Sequence, residues 1–158
     1  MGTREYVTIL KGLVDEGREV NMHVLGSSMA PFVVHERDVI YFKKPERKLY
    51  KGDIAFFQRK NGQYVVHRIY KIKGNQYYFV GDNQTVIEGP IDEGQIFAAV
   101  TRVKRKGKMI GPGDFWWEFF EHVWIRIIPA RRFTAWWYGK ISGIFHRKES
   151  SQKRKNVV

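Results

Sequence analysis

The sequence predicts a mainly β fold of the α+β class, an antiparallel β domain with an N-terminal helix and C-terminal aromatic-rich helices. Three observations predict it. Short runs of β-branched and aromatic residues recur over residues 19–103, and such residues favour strands. Turn-forming pairs such as Asn61-Gly62 and Gly74-Asn75 separate these runs, as in hairpins. Before them, residues 3–16 place apolar side chains at helical spacing.

Each predicted element follows from its local pattern. The helical face comprises Tyr6, Ile9, Leu10, Leu13 and Val14, and Gly17 ends the helix. The predicted strands are Glu19–Leu25, Asp38–Lys43, Ile54–Gln58, Tyr64–Ile72, Gln76–Val80 and Gln95–Val103. Residues 81–93 are predicted to form a loop. Several short strands joined by tight turns favour antiparallel pairing.

Composition narrows the possible functions. The chain has 158 residues, 43% hydrophobic and 28% charged, which is typical of one globular domain. It contains no cysteine, which excludes disulfide scaffolds, cysteine peptidases and thiolate zinc sites. Of the net charge of +12, residues 101–158 carry +10, with 14 Lys and Arg against 4 Asp and Glu. This asymmetry indicates an anionic partner, either a membrane surface or nucleic acid.

The amino-terminal sequence shows no export signal. Residues 1–17 form a mixed-charge stretch without an apolar segment. No window of the chain holds the roughly 18 consecutive apolar residues that a spanning helix needs. We therefore expect a protein on the cytoplasmic side that contacts a membrane peripherally.

Composition changes after about Gly113, where the aromatic content rises sharply. All five tryptophans and six other aromatic residues lie in Phe115–Phe145, interleaved with arginine and lysine, and Pro129 divides two predicted helices. We predict a β domain over residues 1–112, an aromatic and basic helical extension over 113–147, and a disordered basic tail over 148–158.

The extension has two interpretations. Aromatic side chains at helical spacing usually pack into a core, and Phe119, Val123 and Ile127 suit that role. Tryptophan-rich helices flanked by basic residues are also typical of segments that lie in a lipid interface. We favour a peripheral membrane surface as the partner of residues 113–147. The basic run Lys104–Lys108 either adds to that attraction or is a solvated strand end.

Four short motifs contain residues that can carry chemistry. They are Gly26–Pro31, Gly52–Ile54, Val66–Ile69 and Gly81–Asn83. Singly, each has an ordinary structural interpretation, since a serine in a turn, a Gly-Asp junction and a lone strand histidine are all common. Together they supply a hydroxyl, an imidazole and a carboxylate.

These groups suit nucleophilic catalysis. A serine hydroxyl is a weak nucleophile and needs an adjacent base, which histidine provides near neutral pH. Ser28 lies where a strand turns sharply, a place that leaves backbone N–H groups free for an oxyanion. His67 shares a strand face with Val65 and Ile69, whereas Arg68 points the other way. Asp82 and Glu88 are the acidic candidates for orienting the imidazole.

The four motifs, in this order, resemble those of the signal peptidase I family. The resemblance covers about residues 24–103 and implies the β-rich fold that this family shares with the self-cleaving SOS-response repressors. It implies that Ser28 is the nucleophile, His67 the general base and Asp82 the acid partner. Histidine in the third motif resembles the archaeal and endoplasmic-reticulum type, since bacterial members use lysine there. The implied activity is a serine endopeptidase that cleaves signal or leader peptides after small side chains.

The sequence departs from the family pattern at two positions. Glu88 is the nearest acid after the fourth motif, where the family commonly has a second aspartate. Gly26 replaces the serine that many members have two positions before the nucleophile, so the Ser28 backbone N–H is the expected oxyanion donor. The usual N-terminal membrane anchor is not seen, and we expect residues 113–147 to replace it.

Two other function classes share features with this sequence. One is a catalytically silent, membrane-associated binding module with the same fold. The other is a DNA-binding repressor, which the roughly 25 residues before Ser28 are too few to support; we expect no specific nucleic acid partner. No cofactor or metal is expected, because His35, His122 and His146 lack metal-ligand spacing. His23 is interpreted as structural or as a supporting residue near Ser28.

Overall fold

The structure, a computed structural model, describes residues 2–127. It begins with helix α1 (Thr3–Asp15) and contains eight strands in one sheet. The strands are β1 (Val20–His23), β2 (Val39–Lys43), β3 (Ile54–Gln58), β4 (Tyr64–Lys73), β5 (Gln76–Val80), β6 (Glu88–Asp92), β7 (Ile96–Arg105) and β8 (Lys108–Ile110). A 3₁₀ turn at Glu93–Gln95 precedes β7, and helix α2 spans Phe115–Glu118.

The strands pair in the order β1-β2-β7-β3-β4-β5-β6, with β8 added to β7, and every pair is antiparallel. This confirms the predicted mainly β, α+β fold. The central position of β3, between β4 and β7, means that its side chains are buried on both faces. It thereby holds β4, which carries His67, in the middle of the sheet.

Two strands were not predicted. Strand β6 lies inside the predicted loop 81–93 and contains Pro90, a residue that is rare within strands. Proline is tolerated here since β6 is the last strand of the sheet order and bonds only to β5 among residues 2–127. Strand β8 follows a tight turn at Lys106 and Gly107, whose φ angles are +51° and +81°. A lysine at positive φ is uncommon, so the turn carried no clear sequence signal.

Buried hydrophobic side chains cover both faces of the sheet. On β3, Ile54 and Phe56 join one cluster, whereas Ala55 and Phe57 join a second. Alternate strand residues point to opposite faces, so the two clusters lie on the two sides of the sheet. Helix α1 contributes Val7, Leu10 and Val14 to the first cluster.

The chain divides into one compact unit over Met1–Ile125 and a second over Arg126–Val158. After α2 the chain continues through a π-helical segment (Phe119–Val123) and a 3₁₀ segment (Trp124–Ile127). Trp117 and Phe120 are buried in the first hydrophobic cluster. Residues 113–125, predicted to begin a separate extension, therefore pack within the first unit.

The rest of the predicted extension and tail, residues 128–158, lies outside the described residues. No helix within residues 2–127 is both long and apolar enough to cross a bilayer.

Candidate active site

The predicted nucleophile Ser28 lies in the turn that follows β1. The next residue, Met29, is 2% exposed and Phe32 is fully buried. The ring centroid of Phe32 lies 4.9 Å from that of Phe120. These buried side chains anchor the turn on its C-terminal side, so that the half-buried Ser28 is held at the edge of the core.

The Gly81-Asp82-Asn83 motif supports Ser28 from the neighbouring chain segment. The backbone N–H of Asn83 donates to the carbonyl oxygen of Ser28 at 2.8 Å. A Cβ atom on Gly81 would collide with the same Ser28 oxygen. Glycine is therefore required at position 81 by close approach of two backbone segments, and this motif fixes the position of the serine.

His67 lies in β4, where strand pairing fixes its direction. It is opposite Ala55 of β3 and 5% exposed. Val65 and Ile69 of the same strand lie in the second hydrophobic cluster. The imidazole contacts the ring of Phe57, with centroids 6.4 Å apart in an edge-on arrangement. The predicted common face of His67, Val65 and Ile69 agrees with these contacts.

Ser28 and His67 line one cavity of about 680 Å³. Other residues that line it are Met22, His23, Val24, Leu25, Phe56 and Gln84. Cavities of this size accommodate small molecules and short peptide segments. The structure thus brings together the two residues that the sequence assigned to nucleophile and base, although they come from distant parts of the chain.

Arg68 joins three of the four motifs. Its guanidinium donates to both carboxylate oxygens of Asp82 at 2.8 Å and to the carbonyl oxygen of Gly52 at 2.8 Å. The group also lies over the ring of Phe32, 5.2 Å from its centroid. Arg68 is 2% exposed, and a charge so deeply buried requires such partners. The neighbour of His67 therefore holds the motifs in place.

The Gly52-Asp53 motif has a structural role. Asp53 accepts hydrogen bonds from the guanidinium of Arg47, at 2.8 and 3.0 Å, and from the backbone N–H of Tyr50 at 2.7 Å. Gly52 has φ +99°, and a Cβ atom there would lie 2.7 Å from Cγ of Glu121. This motif closes the loop before β3 and packs against Glu121 of the π-helical segment. It does not line the cavity of Ser28.

Asp82 was predicted to orient His67, but the structure pairs its carboxylate with Arg68 instead. Both carboxylate oxygens of Asp82 accept from Arg68, and Nδ1 of His67 is buried without a hydrogen-bond partner within residues 2–127. The reserve candidate, Glu88, accepts from Nε of Arg59 at 2.8 Å and from its Nη2. A buried arginine competes for Asp82 because leaving that charge unpaired would cost more than leaving a neutral imidazole unpaired.

Burial lowers the pKa of His67 to about 4, with a smaller raising effect from Glu88 and a lowering effect from Arg59. The imidazole is therefore neutral at physiological pH, the form that accepts a proton. Since Nδ1 is the buried nitrogen, Nε2 is the nitrogen that can serve the cavity. A neutral ring with Nε2 as acceptor carries its proton on Nδ1.

This pKa predicts a pH-dependent stability. In the unfolded chain His67 has a pKa of about 6.5, so between pH 6.5 and 4 the unfolded state binds a proton that the folded state does not. Stability therefore rises with pH across this window and falls on acidification. We expect His67 to lower the free energy of unfolding by about 3 kcal/mol between pH 7.5 and pH 4. Denaturant titrations at a series of pH values measure it.

The matched variants for this measurement are His67→Phe and His23→Phe. The first removes the buried titrating group, so its unfolding free energy should change less with pH than that of the wild type. The second replaces an exposed histidine of β1 and should keep the wild-type dependence. Equal pH dependence in wild type and His67→Phe would contradict the assigned cause.

The other described histidines have identifiable neighbours. His35 accepts a hydrogen bond at Nδ1 from the backbone N–H of Gly26 at 2.9 Å. His23 is exposed and lines the Ser28 cavity. His122 was expected to stand alone, but its Nε2 lies 3.0 Å from Oε2 of Glu118 and 3.5 Å from Oε2 of Glu121. Glu118, Glu121 and His122 could each offer one metal ligand, but exposed acidic groups commonly occur together without a metal.

Sequence reasoning missed the roles of Arg68 and Gln84. The signal for Arg68 was a charged residue within an apolar strand, followed by Asp82 as a potential partner, because a buried charge is almost always paired. Gln84 follows the fourth motif directly and lines the cavity with Ser28 and His67. Nothing in its local sequence distinguished it from a loop residue.

No family model matches the sequence, and no curated protein matches it. The interpretation of the site therefore depends on the positions of Ser28, His67 and the residues around them.

Proposed function

We propose that this chain is a serine endopeptidase of the signal peptidase type, with Ser28 as nucleophile and His67 as general base. One observation carries the proposal: Ser28 and a buried, neutral His67 line the same cavity. The ordered motifs that surround both residues support it, because Gly81-Asp82-Asn83 and Arg68 fix their positions.

The proposed reaction uses the groups as follows. Oγ of Ser28 attacks the carbonyl carbon of the scissile peptide while Nε2 of His67 takes the hydroxyl proton. The backbone N–H of Ser28, which has no acceptor within residues 2–127, donates to the carbonyl oxygen as it becomes negative. The imidazolium then gives its proton to the leaving amine. Water, activated by the same imidazole, releases the second product from the acyl-enzyme.

The direct test is exposure of the purified chain to a library of leader-like peptides, followed by mass spectrometry. We expect cleavage after small side chains. An alkyl fluorophosphonate, which labels activated serines, should attach to Ser28, and tryptic mapping would locate it. No cleavage and no labelling would contradict the proposal.

A second candidate is a binding module that holds peptides without cleaving them. The observation that favours it is Nδ1 of His67, which lacks a carboxylate partner within the described part of the chain. Binding of leader-like peptides, measured by fluorescence anisotropy, together with absent cleavage would identify this alternative.

We further propose that the protein contacts a membrane surface peripherally. Within the described residues, Phe115 is 70% exposed and Trp116 is 45% exposed. Arg105 lies over the Trp116 ring, 5.3 Å from its centroid. Exposed aromatic rings beside basic groups suit the headgroup region of an anionic bilayer. The remainder of the predicted membrane segment, residues 128–147, lies outside the described residues.

A lipid experiment tests this surface. Phe115→Ser/Trp116→Ser should weaken co-sedimentation with phosphatidylserine-containing vesicles by roughly tenfold or more, because burying two such aromatic rings contributes a few kcal/mol. Tyr50→Ser, at a side chain 59% exposed elsewhere, is the matched control and should sediment as the wild type does. Equal sedimentation of the wild type, the double variant and Tyr50→Ser would show that Phe115 and Trp116 do not contribute to membrane binding.

A further inference from the structure

The side chain of Gln84 lies in a fixed orientation at the Ser28 cavity. Its backbone N–H donates to the Gly81 carbonyl at 2.9 Å, which forms a tight turn. The side-chain Oε1 accepts from the backbone N–H of Gly81 at 3.3 Å. Because a backbone N–H can only donate, this contact determines which end of the amide is oxygen and which is nitrogen. Gln84 also lines the cavity that contains Ser28 and His67.

The amide of Gln84 lies beside Ser28. A Cβ atom on Gly81 would be 2.9 Å from Oε1 and 3.1 Å from Cδ of Gln84, and still closer to the carbonyl oxygen of Ser28. Two groups that approach one point so closely are neighbours themselves. The turn Gly81–Gln84 therefore places a side-chain amide near the backbone of Ser28, whose carbonyl oxygen accepts from Asn83 in the same turn.

The nitrogen of this amide is available as a donor. Oε1 is occupied by Gly81, whereas the two N–H groups of Nε2 have no acceptor within residues 2–127. At Gly26, two positions before the nucleophile, no side chain is present to donate. We propose that Gln84 supplies the side-chain donor of the oxyanion site, an inference that rests on the proposed peptidase function.

The step in which Gln84 acts is acyl transfer to Ser28. The bond between Oγ and the carbonyl carbon forms, the carbonyl π electrons move to its oxygen, and the hydroxyl proton passes to His67. The negative oxygen then accepts hydrogen bonds from Nε2 of Gln84 and from the backbone N–H of Ser28. With a fluorophosphonate, the P–O bond to Ser28 forms, fluoride leaves, and the phosphoryl oxygen takes the oxyanion position. Loss of one such donor slows the step by roughly 100- to 1000-fold.

The test measures the reaction with an alkyl fluorophosphonate in two Gln84 variants. Together they distinguish the role of the amide oxygen from that of the amide nitrogen. Gln84→Glu keeps an oxygen to accept from Gly81 but removes the N–H donors, whereas Gln84→Ala removes both. The control is Gln76→Glu, which makes the same change of charge at an exposed position of β5 outside the cavity lining. We expect Gln84→Glu and Gln84→Ala to lower the maximal inactivation rate constant by roughly 100-fold. The half-saturating probe concentration should stay within about threefold, and Gln76→Glu should behave as wild type does.

The outcomes distinguish this inference from the function on which it rests. If Gln84→Glu reacts at the wild-type rate, Gln84 is no oxyanion donor, whether or not Gln84→Ala is impaired. A slow Gln84→Glu with an equally slow Gln76→Glu would assign the effect to the added charge and would also overturn the inference. If the wild type itself reacts no faster than Ser28→Ala, the peptidase proposal fails, and the role of Gln84 fails with it. Thermal unfolding of each variant confirms that it is folded.

Discussion

Ser28→Ala should abolish both peptide cleavage and fluorophosphonate labelling while leaving the fold intact. The alanine has no oxygen to form the acyl-enzyme, and loss of such a nucleophile lowers kcat by roughly 10⁶-fold in enzymes of this chemistry. The Ser28 hydroxyl makes no hydrogen bond within residues 2–127, and Asn83 binds the backbone carbonyl, which alanine retains. We therefore expect the unfolding free energy to change by less than about 0.5 kcal/mol.

The matched control is Ser27→Ala, which removes an exposed hydroxyl one residue earlier and outside the cavity lining. It should cleave and react as the wild type does. A Ser28→Ala protein that still cleaves, after purification that excludes a contaminating peptidase, would remove Ser28 from the mechanism. Equal losses in both variants would indicate that the turn, and not the Ser28 hydroxyl, is what the substitution disturbs.

The sequence predicts the fold well where one residue pattern dominates. Strands β3 and β5 begin and end at the predicted residues, because Gly and Asn residues bound compact apolar runs. Helix α1 lies where it was predicted, but its buried face was predicted only in part: Leu10 and Val14 are buried. Tyr6 and Ile9 of the predicted face are 41% and 52% exposed, and Val7 is buried instead. Strand β6 was not predicted, because a segment that contains proline forms a strand only where it can pair at the edge of a sheet. Its pairing with β5 is a tertiary contact that the local sequence does not show.

The candidate site could be predicted only in part. Ser28 and His67 could be paired from their motifs, and the structure places both on one cavity. The partner of Asp82 could not be assigned from order alone, since both His67 and Arg68 are adjacent candidates in β4. Burial decides between them: an unpaired guanidinium at 2% exposure is far more costly than an unpaired neutral imidazole nitrogen.

Arg68→Met should produce the largest loss of stability of any variant considered. The substitution leaves the Asp82 carboxylate buried at 1% exposure without the guanidinium and removes the donor to the Gly52 carbonyl. Breaking a buried pair on one side typically costs about 3–5 kcal/mol. Denaturant unfolding measures this cost, and Arg102→Met is the control. Arg102 pairs with Glu19 at 2.8 Å but is half exposed, so its loss should cost less than about 1 kcal/mol.

The double variant Arg68→Met/Asp82→Leu separates the cost of a broken pair from the value of the pair itself. With both charges gone, position 82 no longer holds a buried carboxylate that has lost the guanidinium, and we expect much of the stability lost in Arg68→Met to return. Activity should not return with it, because Arg68 also holds Gly52 and packs over Phe32, which anchors the Ser28 turn. A double variant that is stable and fully active would show that the ion pair contributes to neither the position of Ser28 nor that of His67. A stable double variant with slow fluorophosphonate labelling would show that Arg68 is a positioning residue for the site.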